Sequence, residues 1–117
     1  MEMLDDPERL ISIRGHGDFK GYRSAPVNKE PWTYEWLKDF DKNVVFYDVG
    51  ACVGSYSLMA AARGALVYAF EPLPVNVAEL HMNTFQNYLV EKIFITGIAA
   101  GLHDGFVDLH LHTAAIA

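Results

Sequence analysis

The sequence predicts an α/β domain built on a mainly parallel β-sheet. Two apolar runs of strand formers, residues 44–47 and 66–70, are each followed by turn residues and a segment of helix formers. Uninterrupted apolar runs are typical of strands buried on both faces, and their alternation with helices is typical of βαβ units. A third run at 93–95 completes a βαβαβ pattern.

Composition places the chain among globular proteins and disfavours a nucleic-acid partner. Hydrophobic residues make up 51% of the 117 residues and charged residues 21%, a balance unlike that of disordered chains. The formal net charge is −6, and the nine basic residues form no cluster. Proteins that bind nucleic-acid phosphates along an extended surface carry a basic footprint, which is missing here.

The cysteine count and the amino-terminal residues predict a cytoplasmic protein. Cys52 is the one cysteine, so no internal disulfide can form. The first residues have neither a basic nor an apolar region of the kind found in secretory signals. The most apolar stretch, residues 56–70, is shorter than the ~20 residues that a membrane-spanning helix needs. No membrane partner is expected.

Residues 1–43 are predicted to be a loop-rich lead-in with one helix near 31–40. Pro31 suits a first helical turn. Apolar residues then recur with helical spacing, so the two tryptophans among them are expected in the core. These residues are Trp32, Trp36, Leu37 and Phe40.

Two crossover helices are predicted between the strands. The first runs from Ser55 to Arg63, and Gly64 suits the left-handed position that follows a helix. The second begins at Pro74. Its buried stripe is expected to consist of apolar residues with helical spacing. These are Ala78, Met82, Phe85 and Leu89.

The chain after Gly97 is predicted to form a β-hairpin. The pair Asp104-Gly105 is a strong two-residue turn signal. Beyond it, apolar and polar residues alternate, as in a half-exposed strand. The polar face holds Asp108, His110 and His112, which could bind zinc. No second ligand cluster closes such a site, so a solvated face is expected and no metal is predicted.

The segment Asp48-Val49-Gly50-Ala51-Cys52-Val53-Gly54 is a glycine turn after the first strand. In a βαβ unit this turn faces the ligand, and glycines let the backbone approach it. The spacing does not match the G-x-G-x-x-G fingerprint of dinucleotide sites, and the turn lacks the lysine of a phosphate-binding loop. Glycine pairs also serve tight turns for structural reasons alone.

Two carboxylates indicate the ligand of this turn. Asp48 lies at the carboxyl end of its strand, where it would attract an ammonium or sulfonium group and repel a phosphate. Glu71 ends the next strand about twenty residues later, where a carboxylate can accept hydrogen bonds from ribose hydroxyls. Together they predict S-adenosylmethionine as the cofactor.

The same residues resemble a known family. Residues 47–57 and 68–76 look like the first two motifs of FkbM-type methyltransferases. Asn83, Asn87 and the segment from 99–101 through Gly105 are similar to that family's middle part. The resemblance covers about residues 44–112.

The resemblance implies a class I, Rossmann-like methyltransferase fold that binds S-adenosylmethionine and methylates a hydroxyl oxygen of a small molecule or sugar. It places one group of residues at the methionine end, Glu71 at the ribose, and Pro72 and Ala99 at the adenine. Cys52 departs from the pattern, because an asparagine is expected there. The methionine-end group is Asp48, Gly50, Ala51, Cys52 and Gly54.

The family's next motif, a Lys-Ile-Asp strand, is missing, so residues 44–117 are predicted to be a partial cofactor-binding domain. We expect the first βαβαβ half of the fold plus the β-hairpin, with no acceptor pocket or general base and no methyl transfer by this chain alone. The catalytic residues are unknown. Two alternatives are an NAD(P)- or FAD-binding oxidoreductase fragment and a non-catalytic module that pairs with another chain. The strand at 44–47 would then offer an exposed edge for an oligomer.

Overall fold

The structure, a computed structural model, describes residues 2–15 and 24–111 as five strands and four helices. The lead-in holds two short strands followed by two short helices, and the remaining elements alternate strand and helix. In chain order the elements are β1 (Glu2–Met3), β2 (Ser12–Ile13), α1 (Pro26–Lys29), α2 (Pro31–Leu37), β3 (Val45–Val49), α3 (Ser55–Ala62), β4 (Leu66–Phe70), α4 (Pro74–Gln86) and β5 (Ile93–Thr96).

The main sheet has three parallel strands in the order β3-β4-β5, which confirms the predicted α/β class. Val45 pairs with Leu66 and Val49 with Phe70, so β3 and β4 are in register along their whole length. Within the described residues, β3 and β5 are the edges of this sheet. All three strands therefore end at one carboxyl edge.

Both crossover helices lie on the same face of the sheet. The strands are neighbours in the order β3-β4-β5, so both crossover connections run in the same direction across the sheet. Two right-handed crossovers that run in the same direction place α3 and α4 on one side of the sheet. The core lies between this face and the helices, where α3 contributes several fully buried side chains. The buried core residues of α3 and the sheet are Leu58, Met59, Ala60, Ala61, Phe46, Val67, Ala69 and Ile93.

The lead-in is joined to α4 by two asparagine side chains. The Asn83 amide accepts the Arg14 N–H at 2.9 Å and donates to the Arg14 carbonyl at 2.9 Å. One turn further along, the Asn87 amide accepts the Ser12 N–H at 3.0 Å and donates to the Ser12 carbonyl at 2.7 Å. The two amides thus form hydrogen bonds with the backbone of Ser12 and Arg14 as a neighbouring strand would.

A buried ion pair holds the lead-in to the end of α3. The Arg63 guanidinium donates to both carboxylate oxygens of Asp6, at 2.5 and 2.9 Å, and to the Met59 carbonyl at 3.1 Å. Both charged side chains are fully buried. Burial by itself would raise the pKa of Asp6, but the hydrogen bonds and charge of Arg63 and the backbone N–H groups of Glu8 and Arg9 together outweigh it and hold that pKa below its usual value.

The expectation that the tryptophans lie in the core is wrong. Trp32 is 67% exposed and Trp36 is 60% exposed, whereas the buried residues of α2 are Tyr34 and Leu37. Trp36 instead meets Phe46 edge-on, with ring centroids 5.7 Å apart. Trp36 therefore contacts the border of the core through Phe46 and remains mostly exposed.

The predicted buried stripe of α4 is also wrong. Phe85 is 68% exposed and Met82 is 45% exposed, and Ala78 is exposed as well. Leu89, after the end of α4, is half-buried. The asparagine contacts with the lead-in turn a partly polar face of α4 inward. Its buried residues are Asn76, Leu80, Asn83 and Thr84.

The β-hairpin predicted around Asp104-Gly105 does not form in the part of the segment that the structure describes. Residues 101–111 contain no strand, and all of them are exposed. Val107 is 82% exposed and Leu111 is 64% exposed. A two-stranded ribbon is marginally stable unless one face packs on a core, and this segment packs on none.

Candidate functional site

The glycine turn connects β3 to α3 at the carboxyl edge of the sheet. The Gly50 and Ala51 N–H groups both donate to the Phe70 carbonyl, at 2.8 and 3.0 Å. Gly54 N–H donates to the Ala51 carbonyl at 2.9 Å. The turn is therefore fixed to the end of β4.

Left-handed backbone conformations occur at every second residue of the turn from Gly50 to Gly54. The φ angles are +78° at Gly50, +56° at Cys52 and +105° at Gly54. Glycine adopts such angles without steric cost. At Cys52, by contrast, the left-handed conformation brings Cβ too close to the following carbonyl oxygen. The asparagine that the family pattern has at this position is a residue that tolerates the left-handed region.

The two glycines face different surroundings. A Cβ added to Gly50 would meet nothing within 4 Å, so the space beside it is open. A Cβ added to Gly54 would lie 2.5 Å from Leu80 Cδ1 on α4. Gly50 therefore leaves room for a ligand, and Gly54 lets α4 pack closely against the turn.

Glu71 braces the glycine turn from the end of β4. It is 4% exposed, and its carboxylate accepts the Cys52 N–H at 2.9 Å and the Leu73 N–H at 2.9 Å. The Asn76 amide is at 3.5 Å. The carboxylate thus joins the ends of β3 and β4 to the start of α4.

Asp48 lies on the helix-side face of β3 and is held by α3. The Ser57 hydroxyl donates to its carboxylate at 2.6 Å. Burial raises the pKa of Asp48, the Ser57 hydrogen bonds oppose that rise, and the negative charge of Glu71 adds to it. Two carboxylates at neighbouring strand ends make this edge electronegative, which favours a cationic ligand.

The remaining predicted positions lie around this centre. Ala51 is buried in the turn, and Pro72 is half-buried next to Glu71. Ala99 is on the exposed segment after β5, and β5 itself meets the site where Thr96 accepts the Glu71 N–H at 3.1 Å. The structure therefore brings Asp48 and Glu71 together with the turn.

Three polar residues that support the site were not among the predicted site residues. Ser57 holds Asp48, and the Asn83 amide donates to the Val53 carbonyl in the turn at 2.7 Å. Asn76 is fully buried beside Glu71, and its Oδ1 has no partner within the described residues. The spacing of Asn76, Asn83 and Asn87 along one helix face is the sequence signal that could have identified the asparagines.

The described residues contain neither a metal-binding cluster nor a membrane-spanning helix. Residues 2–15 and 24–111 contain no group of three potential metal-ligating side chains, and His112 lies outside them. None of the helices there has the length and hydropathy to cross a bilayer.

No protein-family model and no curated protein matches this sequence. Solved structures do match. TYW2 from P. horikoshii, crystallised with MeSAdo, is 22% identical with a TM-score of 0.53, over 57% of this chain and 26% of that one. The METTL16 MTase domain is 18% identical with a TM-score of 0.61, over 80% and 38%. An RNA methyltransferase from Salinibacter ruber, crystallised with S-adenosyl-L-homocysteine, is 21% identical with a TM-score of 0.54, over 64% and 49%.

This chain thus spans between about a quarter and a half of the length of these three structures. At these identities the likeness is one of fold. The chain has the α/β, Rossmann-like fold of class I methyltransferases, over part of that fold's length.

Proposed function

We propose that this chain binds S-adenosylmethionine at the glycine turn and forms the donor-binding part of an FkbM-like methyltransferase. The observation that carries the proposal is the open space beside Gly50, with Asp48 and Glu71 at the ends of neighbouring strands. The glycines of the turn also have no side chain to cover their backbone. Residues 44–117 would make up this donor-binding part.

Each predicted residue has a role that its position supports. S-adenosylmethionine, when bound, supplies a methyl group on a positively charged sulfur. Asp48 would attract the cationic methionine end, and the backbone from Gly50 to Cys52 would line it. Glu71 would accept hydrogen bonds from the ribose hydroxyls. Each of its carboxylate oxygens has two lone pairs, and the Cys52 and Leu73 N–H groups do not occupy all of these lone pairs. Pro72 and Ala99 would border the adenine.

The proposed acceptor is a hydroxyl oxygen of a small molecule or sugar. The resemblance to FkbM-type enzymes supports it, and so does a net charge of −6 without a basic cluster. One of the solved neighbours is named as an RNA methyltransferase, but at these identities the likeness is one of fold. The single cysteine supports a cytoplasmic setting.

A pair of glycine variants tests the site. Gly50→Ala should weaken S-adenosylhomocysteine binding at least tenfold in calorimetry, because the added methyl group enters the proposed ligand space. Gly64→Ala is the control, since Gly64 also has a positive φ, +99°, but lies at the other edge of the sheet. Gly64→Ala should lose at least as much stability, because its added Cβ would also lie 3.2 Å from the Lys42 backbone nitrogen, and it should keep its affinity. Equal affinity in both variants would contradict the proposal.

A charge variant tests the role of Asp48. Its pKa is raised, so the carboxylate loses its charge at a higher pH than an ordinary aspartate, whose value is 3.8. Affinity for S-adenosylhomocysteine, whose amino group is cationic, should fall as the pH is lowered toward that raised pKa. Asp48→Asn keeps a partner for Ser57 but should bind about tenfold more weakly near neutral pH and show a flatter pH profile. An unchanged profile would contradict this role.

A further inference from the structure

Asn76 is a buried polar residue at the start of α4, beside Glu71. Its side chain has no exposed surface, and its Nδ2 lies 3.5 Å from Oε2 of the Glu71 carboxylate. Its Oδ1 has no hydrogen-bond partner within the described residues. A buried polar atom without a partner lowers the stability of a protein, and native structures contain few of them. The asparagine at this position therefore calls for an explanation other than stability.

Capping of α4 does not account for this residue. Asn76 is the third residue of the helix, which begins at Pro74, and a polar side chain there commonly accepts the N–H of the residue before the helix. That residue is Leu73, whose N–H donates to Glu71 at 2.9 Å instead. Within the described residues, the Asn76 amide forms no hydrogen bond with the backbone of α4. Its side chain therefore does not cap the helix.

Glu71 is the polar group that the Asn76 amide contacts. Oε1 of Glu71 accepts the Cys52 N–H at 2.9 Å. Oε2 accepts the Leu73 N–H at 2.9 Å and faces the Asn76 NH2 group at 3.5 Å. A carboxylate can only accept hydrogen bonds, so the amide directs its NH2 donor toward Glu71 and leaves Oδ1 without a partner. The orientation of the amide is therefore explained by the carboxylate and not by the helix.

A donor beside Oε2 limits the orientations that the Glu71 carboxylate can adopt. The carboxylate is 4% exposed, so a ligand hydroxyl can reach it from few directions. The Cys52 and Leu73 N–H groups bond one oxygen each, and the Asn76 donor adds a third polar contact from a different element, α4. A carboxylate that is already held in its bound orientation loses little side-chain entropy when it accepts a ligand hydroxyl. Fixing this orientation therefore favours binding of hydroxyl groups.

We propose that Asn76 is a positioning residue, which holds the Glu71 carboxylate in the orientation that accepts the ribose hydroxyls of the ligand. This inference rests on the proposed function, because it concerns the same cofactor site. Asn76 has no exposed surface, so it acts through Glu71 and does not contact the ligand itself. The unpaired Oδ1 is the loss of stability that accompanies this role.

Calorimetry with two ligands tests the proposal: S-adenosylhomocysteine and its 2′,3′-dideoxy analogue, which lacks both ribose hydroxyls. Asn76→Leu removes the amide and keeps a branched side chain. It should weaken S-adenosylhomocysteine binding about fivefold and change the affinity for the dideoxy analogue less than about twofold. Asn76→Ala, which cannot crowd the site, should show the same selective loss. Thr84→Val is the matched control, since Thr84 is also buried on α4 and its hydroxyl donates to the Leu80 carbonyl at 2.8 Å. It should bind both ligands as the unaltered chain does.

Three outcomes would overturn the proposal. Equal weakening of both ligands by the two Asn76 variants, with native circular dichroism, would show a general disturbance of the site. Unchanged affinity for S-adenosylhomocysteine would show that Glu71 needs no help from the amide. The same selective loss in Thr84→Val would show that the effect is not specific to Asn76. Failure of the proposed function differs from all three, because the unaltered chain would then bind neither ligand, and the inference would fail with it.

Discussion

Cys52 is the residue at which the glycine turn is most strained. Its φ of +56° is in the left-handed region, which costs a non-glycine residue roughly 1–2 kcal/mol. Cys52→Asn should raise the free energy of unfolding by up to about 1 kcal/mol, since asparagine tolerates this conformation. Cys52→Val, similar in size but β-branched, should lower it by about 1–3 kcal/mol. Urea denaturation measures both, and the opposite order would contradict the assigned backbone strain.

The contrast between Gly54 and Gly50 gives a second prediction. Gly54→Ala combines left-handed strain with a 2.5 Å approach to Leu80 and should cost roughly 2–4 kcal/mol of unfolding free energy. Gly50→Ala carries the strain alone and should cost about 1–2 kcal/mol. Thermal unfolding distinguishes them. Leu80→Ala is itself destabilising because Leu80 is fully buried, but Gly54→Ala should cost less in the Leu80→Ala background than in the wild type if the contact is its cause. Equal costs would contradict the different surroundings of the two glycines.

At this scale, the sequence predicted the candidate residues of the site but not all of their contacts. Asp48, Gly50 and Glu71 could be located because a strand end followed by glycine or an acid is visible in the residue order. The bond between Glu71 and the Cys52 N–H could not, because it depends on how closely two strand ends approach. Asn76 beside Glu71 was missed for the same reason.

The asparagine contacts between α4 and the lead-in make a prediction at the level of elements. Asn83→Ala would leave the Val53 carbonyl and both backbone groups of Arg14 without their side-chain partner, at a cost of roughly 2–4 kcal/mol. Gln86→Ala is the control and should cost less than about 1 kcal/mol. Hydrogen exchange should also speed up at the Arg14 amide in Asn83→Ala. Unchanged exchange there would contradict the contact.

The ion pair between Arg63 and Asp6 should dominate the attachment of the lead-in. Arg63→Met leaves the buried Asp6 carboxylate unpaired, at a cost of about 3–5 kcal/mol. Arg14→Met, which removes the more exposed pair with Glu79, should cost under about 1 kcal/mol. Chemical denaturation measures the difference, and a cost for Arg63→Met as small as that for Arg14→Met would contradict the importance of the buried pair.

The same ion pair sets a pH dependence. The folded-state pKa of Asp6 is lowered from 3.8, so its stabilisation is present above that value and is lost as the pH falls through the lowered pKa. Asp6→Asn should therefore unfold with a shallower dependence on pH below about 4. Acid titration followed by circular dichroism measures this slope, and equal slopes in the two proteins would contradict it.

Element types were easier to predict than the faces they bury. The strand β4 and the start of α4 at Pro74 follow from apolar runs and proline, which act locally. The buried face of α4 depends on the lead-in strand that packs against it, so the apolar spacing that included Met82 and Phe85 was misleading. The tryptophans of α2 were misplaced because a seven-residue helix at the border of the core has little area to cover them.

At the scale of the whole molecule, the sheet is one-sided within the described residues. Its helix side is packed, and its carboxyl edge holds the glycine turn between two carboxylates. The parallel order could be predicted from the βαβαβ pattern, because right-handed crossovers leave few arrangements. The predicted hairpin is absent from the described residues, because alternation in residues 107–111 specifies a strand only when a sheet accepts it.

The central claim is that the glycine turn binds a methyl donor, and isothermal titration of the 117-residue chain tests it most directly. S-adenosylhomocysteine should bind with a one-to-one ratio, and NAD should give no heat under the same conditions. Bound S-adenosylhomocysteine should also raise the unfolding temperature, since it binds only the folded state. A folded chain that gives no heat with S-adenosylhomocysteine, or that binds NAD instead, would contradict the account.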